Sequence, residues 1–221
     1  MRTKVSPFDR HPSSKLVEAF KGYQGREPGA ARYLFMGLDA NFSETIEDEP
    51  IFPEIIRYLS DGVAYWKGNK RHHPFLSPLY GKGGGYRYHL QFSKLGLTAE
   101  YADKISFIEL LSCPTVGKTS EKRLMRLLDA SHLRMLDTVL TSAIYSKALF
   151  IARGAYPRLY DIGRTFGCFT WLPKPQRFDM NKLYKMEIQD NLRVHVITHF
   201  SDAISSSHLA EIRAAIETEH T

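Results

Sequence analysis

The sequence predicts an α/β protein with three α/β/α layers around a central, mainly parallel sheet of four strands. Short, wholly apolar runs are typical of strands buried on both faces. Stretches with helical spacing of apolar residues separate these runs, and such alternation builds right-handed βαβ units. A length of 221 residues suits a single domain, residues 1–221, with one sizeable core.

Four segments have the strand pattern, and each ends in a loop. The first is Tyr-Leu-Phe-Met at residues 33–36, followed by Gly37, which permits a sharp turn. The others are residues 105–111, 147–152 and 194–198.

Helices are predicted between these strands. They are expected at residues 54–59, 86–95, 124–140, 156–162 and 209–217. Ser131 and His132 indicate a break within the third helix. Residues 1–30, interrupted by prolines and glycines, are interpreted as a surface lead-in with one short helix near residues 14–21.

The composition narrows the class of protein. A hydrophobic content of 43% and a charged content of 24% are ordinary for a globular protein. No signal-peptide pattern and no apolar run of about 18 residues is present, so we expect a cytoplasmic monomer with no membrane partner. The net charge of +6 favours a polyanionic partner such as nucleic acid, although many basic proteins bind none.

Cys113 and Cys168 are the only cysteines. They are too few for an iron–sulfur cluster and lack the spacing of zinc ligands. We therefore expect no metal and no cofactor, and we interpret both thiols as small buried hydrophobes.

Asp39 and Asn41 follow the first predicted strand directly. Open α/β sheets bind ligands outside the carboxyl ends of their strands, which makes these two side chains candidates for a site. Aspartate is also a favoured helix N-cap, so the sequence alone leaves both interpretations of Asp39 open.

Two further segments have a composition that suits phosphate binding. Aromatic and basic residues adjoin at residues 65–73, which fits either a nucleic-acid backbone or a solvated loop. The Lys-Gly-Gly-Gly-Tyr run at residues 82–86 lacks the Lys-Ser or Lys-Thr ending of a P-loop. We interpret it as a turn into a helix.

Three loops that follow predicted strands, taken in order, resemble motifs of the uracil-DNA glycosylase superfamily. They are Gly37-Leu38-Asp39-Ala40-Asn41, Cys113-Pro114-Thr115-Val116 and His199-Phe200-Ser201-Asp202-Ala203. The middle loop is similar to the Arg-Pro-Thr-Val run of the mismatch-specific branch, the nearest likeness. Asp39 and His199 match the acid of Gly-Gln-Asp-Pro-Tyr and the histidine of His-Pro-Ser-Pro in the main branch. The likeness spans about residues 33–216.

The resemblance implies a uracil-DNA glycosylase-like fold and a DNA-repair glycosylase. Such an enzyme hydrolyses the N-glycosidic bond of a flipped-out uracil or other damaged or mismatched base. Asp39 would stabilise the cationic sugar and orient water, and His199 would donate a hydrogen bond to the departing base. His199 also fits a loop histidine that bonds only to backbone.

The resemblance assigns base binding to Asn41, Phe52 and Glu109. Phe52 either stacks on the base or packs beneath its loop. Glu109 stands where relatives carry an asparagine or a lysine. An ionised glutamate only accepts hydrogen bonds, so we expect uracil to be a poor substrate if Glu109 lines the pocket. The alternative is that Glu109 points away or pairs with a nearby Lys or Arg.

DNA contacts are assigned to Lys118, Ser201, Ile204 and Ser205. Ile204 stands where relatives insert a wedge into the vacated base stack. The serines suit phosphate contacts, and solvated loops have the same composition. Relatives have proline or glycine where this chain has Ala40, Phe200 and Asp202.

A rival hypothesis is a non-catalytic protein that binds nucleic acid or nucleotides on the same scaffold, since fold does not imply function. An unrelated α/β hydrolase is disfavoured, because the sequence contains no Gly-x-Ser-x-Gly elbow.

Overall fold

The computed structural model describes residues 10–117, 119–141, 146–179, 182–189 and 191–218. Within these ranges a mostly parallel sheet is flanked by helices, which confirms the predicted α/β class. The strands are β1 (Tyr23–Gly25), β2 (Tyr33–Gly37), β3 (Asn41–Phe42), β4 (Ile105–Glu109), β5 (Thr115–Val116), β6 (Lys147–Ala152), β7 (Tyr184–Gln189) and β8 (Leu192–Ile197).

Eight α-helices surround the sheet in the described part of the chain. They are α1 (Ser14–Ala19), α2 (Phe52–Ser60), α3 (Gly62–Asn69), α4 (Tyr86–Ser93), α5 (Glu121–Leu127), α6 (Ala130–Thr141), α7 (Tyr156–Phe166) and α8 (Ser206–Thr218). None of the helices in this part of the chain combines the length and the apolar composition needed to cross a membrane.

The main sheet has six strands where the sequence predicts four. Their order is β1-β4-β2-β6-β8-β7, and the four predicted strands are its parallel centre. The two additional strands, β1 and β7, pair antiparallel at the two edges. β1 has only three residues, and β7 alternates half-buried and exposed side chains. Neither therefore has the continuous apolar run by which a strand buried on both faces is recognised.

The strand β2 lies at the topological switch point of the sheet. It pairs with β4 on one side and with β6 on the other. The next two strands of the main sheet along the chain therefore lie on opposite sides of β2. Ligand sites of open α/β sheets form outside the carboxyl ends of strands at such a point. Beyond these ends, β3 and β5 pair as a separate two-stranded parallel sheet.

Apolar side chains cover both faces of the sheet. Leu34 and Leu149 belong to a core cluster with residues of α5, α6 and α7. On the other face, Phe35 stacks on Phe150 with ring centroids 4.7 Å apart and meets Phe92 of α4 edge-on at 5.0 Å. Such aromatic pairs each contribute about 0.5–1.5 kcal/mol beyond the area that they bury. They form a rigid base under the carboxyl ends of β2 and β4.

Part of the N-terminal segment belongs to the sheet, which corrects the prediction of a surface lead-in over residues 1–30. β1 lies within it and pairs with β4, and Leu16 of α1 is fully buried. Residues 1–9 lie outside the described ranges.

The helix predicted at residues 124–140 is in fact two helices. α5 and α6 are separated at residues 128–129, close to the expected break at residues 131–132. Asp129 accepts a hydrogen bond from the Ser131 backbone N–H at 2.7 Å, as an aspartate does at the start of a helix.

Lys147, the first residue of β6, binds the segment between β1 and β2 at the amino end of the parallel strands. Its side chain is fully buried, and its Nζ donates to the backbone carbonyls of Pro28, Gly29 and Ala31 at 2.8, 3.0 and 2.7 Å. An ammonium group has three N–H donors, and all three are used here. The segment between β1 and β2 is thereby held against β6.

Replacing this ammonium group is expected to weaken the fold. Lys147→Met leaves three carbonyls without their donor, and an unsatisfied buried polar group costs about 1–3 kcal/mol. We expect the free energy of unfolding in urea to fall by about 3 kcal/mol. Lys185→Met, at an exposed lysine of β7, is the control and should change it by less than about 0.5 kcal/mol. Equal stability of the two variants would contradict the proposed role of Lys147.

Candidate functional site

A cleft of about 560 Å³ opens at the carboxyl ends of β2, β4 and β8. Its lining includes Asp39, Asn41, Glu109, His199 and Ser201, all of which the sequence assigns to the site. Parallel strands bring their carboxyl ends to one edge of a sheet, which explains why residues so far apart in the chain meet here.

Three other predicted site residues that the structure describes do not line the cleft. Phe52, at the start of α2, is buried in a core cluster beside Ile51 and Ile55. It therefore packs beneath its loop and is not the stacking ring. Ile204 packs against the core cluster on the aromatic face of the sheet. Ser205 is exposed and accepts a hydrogen bond from the His208 N–H at the start of α8. Lys118 lies outside the described residues.

Asp39 is held at one oxygen. Its Oδ2 accepts hydrogen bonds from the hydroxyls of Thr115 and Thr119 at 2.6 and 2.5 Å, and from the Asn41 amide at 3.1 Å. These are the side-chain bonds that the described residues make to this carboxylate, and all three reach Oδ2. Oδ1 is therefore the oxygen that remains for water or a ligand. Asn41 thus positions Asp39 in addition to lining the cleft.

The loops that follow β2 and β4 are joined by backbone as well as by side chains. The Leu110 and Leu111 N–H groups donate to the carbonyls of Gly37 and Leu38, each at 3.2 Å, and the Thr115 N–H donates to the Ala40 carbonyl at 2.9 Å. This ladder continues into the β3–β5 pair. It fixes Asp39 relative to the threonine that holds it.

Glu109 lies at the carboxyl end of β4 directly beside Gly37 of β2. A Cβ atom at Gly37 would be 2.2 Å from Glu109 Oε2, so a side chain there would displace the Glu109 carboxyl from this position. The carboxyl group is buried, and Oε2 has no hydrogen-bond partner among the described residues. Within the described residues Glu109 therefore forms no ion pair with Lys or Arg, the alternative that the sequence left open.

The burial of Glu109 changes what it can do. Burial raises the pKa of this carboxyl well above its ordinary value of 4.5, and the charge of Asp39 raises it further. The acid form carries an O–H donor as well as an acceptor oxygen. Burial thus favours the acid form over the ionised form that the sequence analysis assumes.

His199 follows β8 and is exposed at the cleft. Its Nδ1 accepts the Ser201 backbone N–H at 3.2 Å, so the neutral ring carries its proton on Nε2. The cleft walls keep water from part of the exposed ring, which lowers the pKa of His199, and Asp202 partly opposes this effect. Both features favour a neutral imidazole whose Nε2–H is a donor. The hydrogen bond to backbone and a role in the site are thus compatible.

Aromatic rings form much of the rest of the cleft, and the motifs do not reveal them. Phe42, Phe75 and Tyr88 line it above Phe35 and Phe107. Phe42 belongs to β3, Phe75 to a helical turn before α4, and Tyr88 to α4 itself. Phe35 and Phe107 are residues of β2 and β4. Sequence reasoning could have found Phe42, because it follows Asp39 by three residues. It could not have found Phe75 and Tyr88, because neither follows a predicted strand.

The glycine-rich segment predicted as a turn into a helix is also a wall of the cleft. Gly84 and Gly85 line it, and α4 begins at the next residue. Gly85 has a φ of +80°, and a Cβ atom there would lie 2.6 Å from the Phe75 ring. Glycine is therefore required for this loop to close on the aromatic wall.

The basic segment at residues 65–73 combines exposed lysines, Lys67 and Lys70, with buried histidines, so it is not a uniformly basic surface. His72 and His73 are buried, and burial lowers the pKa of His72 to about 3 and that of His73 well below 6.5. Lys67 pairs with Asp103, and Arg71 approaches Glu54 at 3.8 Å. Among the described residues that line the cleft, the Lys or Arg side chain is that of Arg158 in α7.

No protein family, curated protein or solved structure matches the chain. Any function must therefore be argued from the cleft. Within the described ranges, no group of three or more His, Cys, Asp or Glu side chains could hold a metal ion. Cys113 and Cys168 are both buried, and burial raises the pKa of each thiol.

The protonation of Glu109 can be tested through its effect on stability. Its pKa in the folded protein lies above its pKa in the unfolded chain, so folding takes up a proton between the two values. The contribution of Glu109 to stability therefore becomes less favourable as pH rises from about 4.5 toward the folded-state pKa. Glu109→Gln removes this titration with little change of shape.

We expect the stability of Glu109→Gln relative to the natural protein to increase over this interval. Urea unfolding between about pH 4 and about pH 8 measures the difference. The control is Glu44→Gln, at an exposed glutamate after β3, and it should show a smaller change with pH. A difference that is the same at every pH would mean that Glu109 is ionised in the folded protein.

Proposed function

We propose that the protein is a DNA glycosylase that hydrolyses the N-glycosidic bond of a flipped-out damaged or mismatched base. The observation that supports this most directly is that Asp39 and His199 line the same cleft, together with several aromatic rings. Their strands, β2 and β8, flank β6, so the strand ends are about 10 Å apart. A sugar with its base spans such a gap.

The Asp39 carboxylate suits the sugar side of the reaction. Breaking the bond leaves positive charge on the sugar, which a fixed carboxylate stabilises. Asp39 needs no rearrangement for this task, because three donors already hold Oδ2. Its Oδ1 is left to accept a hydrogen bond from the attacking water.

The His199 imidazole suits the base side. The departing base carries negative charge. The Nε2–H of a neutral imidazole stabilises this charge by donating a hydrogen bond, and no change in the protonation of the ring is needed beforehand. The Ser201 N–H at Nδ1 sets the tautomer that presents Nε2–H. Phe42, Phe75 and Tyr88 supply faces on which a flipped base can stack, and Arg158 at the cleft suits a phosphate.

Release of a free base from damaged-base duplexes is the decisive measurement for this proposal. A panel of duplexes, each with uracil, hypoxanthine or another damaged base, gives the substrate. Asp39→Asn should lower base release by at least tenfold and leave DNA binding nearly unchanged, since a positioned acid–base group contributes about 10²–10⁴ in rate.

The matched control for this variant is Asp161→Asn, at an exposed aspartate of α7. It should release the base at the rate of the natural protein. DNA binding by the natural protein without any base release would instead support the non-catalytic binding protein. Equal release by Asp39→Asn and the natural protein would remove Asp39 from the mechanism.

The pH dependence of base release tests His199. Protonation places a hydrogen on Nδ1 that opposes the Ser201 N–H, and burial has already lowered the pKa below the ordinary 6.5. We expect kcat/KM to fall as pH drops through this lowered pKa. His199→Gln keeps an N–H donor but does not titrate, so this acidic decline should disappear in the variant. A decline that is identical in both proteins would assign it to another group.

A further inference from the structure

We propose that Gln24 of β1 is a specificity-determining residue, whose amide N–H donates to a ring carbonyl oxygen of the bound base next to Glu109. This inference depends on the proposed function for the identity of the ligand as a nucleobase. It concerns a residue on the edge strand that the sequence did not predict and that no motif contains.

The orientation of the Gln24 amide follows from a chain of hydrogen bonds. The Phe75 backbone N–H donates to Nδ1 of His73 at 3.1 Å, so Nδ1 carries no proton. His73 is buried, which keeps the ring neutral and leaves its one proton on Nε2. This Nε2 lies 3.1 Å from Gln24 Oε1, to which it donates.

The histidine that orients Gln24 is itself fixed by packing. The rings of His73 and His89 stack with centroids 3.5 Å apart and an interplanar angle of 5°. His89 Nδ1 lies 3.1 Å from Nε2 of His72, which is also buried. The three rings form a rigid wall, so the Gln24 amide cannot turn over without breaking the bond to His73.

The other end of the amide is left for a ligand. Oε1 is occupied by His73, and Nε2 has no hydrogen-bond partner among the described residues. Gln24 is almost fully buried, yet it lines the cleft together with Glu109. An amide N–H₂ that has no partner among the described residues and opens to a cavity is a donor for whatever fills that cavity.

Gln24 and Glu109 are placed to contact the same ligand. Gln24 pairs directly with Phe107 in the β1–β4 ladder, and Glu109 is two residues further along β4. The two side chains therefore project from the same face, and their Cα atoms are diagonal neighbours about 7–8 Å apart. A planar ring that lies over this face reaches both.

The chemistry of the pair selects a class of base. Gln24 offers a donor in a fixed place, which requires an acceptor on the ligand. The acid form of Glu109 offers a donor and an acceptor side by side, which suits a ring nitrogen and its neighbouring group. Bases with a ring carbonyl beside a ring nitrogen, such as uracil and hypoxanthine, satisfy Gln24. Adenine has an amino group where hypoxanthine has its ring carbonyl, so in the same orientation two donors, its N–H₂ and that of Gln24, would face each other.

Binding of free bases tests the inference separately from catalysis. We would measure binding of uracil, hypoxanthine and adenine by calorimetry or ligand-observed NMR, and base release from duplexes in parallel. Gln24→Met keeps the length of the side chain and removes both the carbonyl oxygen and the N–H₂ of the amide. We expect uracil and hypoxanthine to bind about tenfold more weakly to this variant, and adenine to bind poorly to both proteins.

Two more variants complete the test. Gln189→Met makes the same chemical change on the other edge strand, at an exposed residue, and should not alter binding. Gln24→Glu replaces the donor by an acceptor and should also lose the preference for carbonyl bases. This second variant answers the question if Gln24→Met does not fold, as checked by thermal unfolding.

The outcomes separate this inference from the proposed function. Binding that depends on Gln24 without any base release supports the inference and overturns the glycosylase. Base release or carbonyl-base binding that is unchanged in Gln24→Met overturns the inference and leaves the glycosylase standing. Adenine that binds the natural protein as tightly as uracil also overturns the inference. A protein that neither binds nor releases any base overturns both.

Discussion

The close approach of β2 to β4 at their carboxyl ends is the constraint on which the site depends. Gly37 lies beside Glu109 in the parallel register, and the absence of a Cβ atom at Gly37 leaves the space that the glutamate carboxyl occupies. From that point the two chains continue together through backbone hydrogen bonds to the β3–β5 pair. Thr115 enters this pair opposite Asn41, which brings its hydroxyl to Asp39. The same local geometry thus positions both carboxyl groups of the cleft.

Those two carboxyl groups share a cleft but have different surroundings. Asp39 is half-buried, and three donors bind its Oδ2. Glu109 is buried, its Oε2 has no donor among the described residues, and the neighbouring Asp39 charge disfavours a second charge. Environments that separate a pair of acids in this way are a known means of giving them different roles in one site. In the proposed site the Asp39 carboxylate faces the sugar, and the Glu109 carboxyl, with its raised pKa, faces the base.

Phe200 and Ala40, which depart from the glycosylase motifs that the sequence resembles, have clear structural roles. Phe200 is buried against Tyr88 and Phe92, with ring centroids 5.3 and 5.5 Å away. Packing of this ring anchors the loop after β8 and leaves the preceding His199 at the cleft. Ala40 is buried, and its carbonyl accepts the Thr115 N–H. The loops are therefore held by packing and by backbone pairing, which makes the rigidity of proline unnecessary at these positions.

The sequence by itself determined the parallel centre of the sheet and the side chains at its carboxyl edge. Continuous apolar runs identify strands buried on both faces, and the residues after such strands meet wherever parallel strands end, which places Asp39, Asn41 and His199. Only the tertiary structure decided the two edge strands, the aromatic wall, the burial of Phe52 and the burial of Glu109 that raises its pKa. β1 is too short and β7 too alternating to be distinguished from loops by pattern. Burial, tautomer and protonation depend on neighbours that are distant in the chain, such as His73 beside Gln24, and no local pattern records those neighbours.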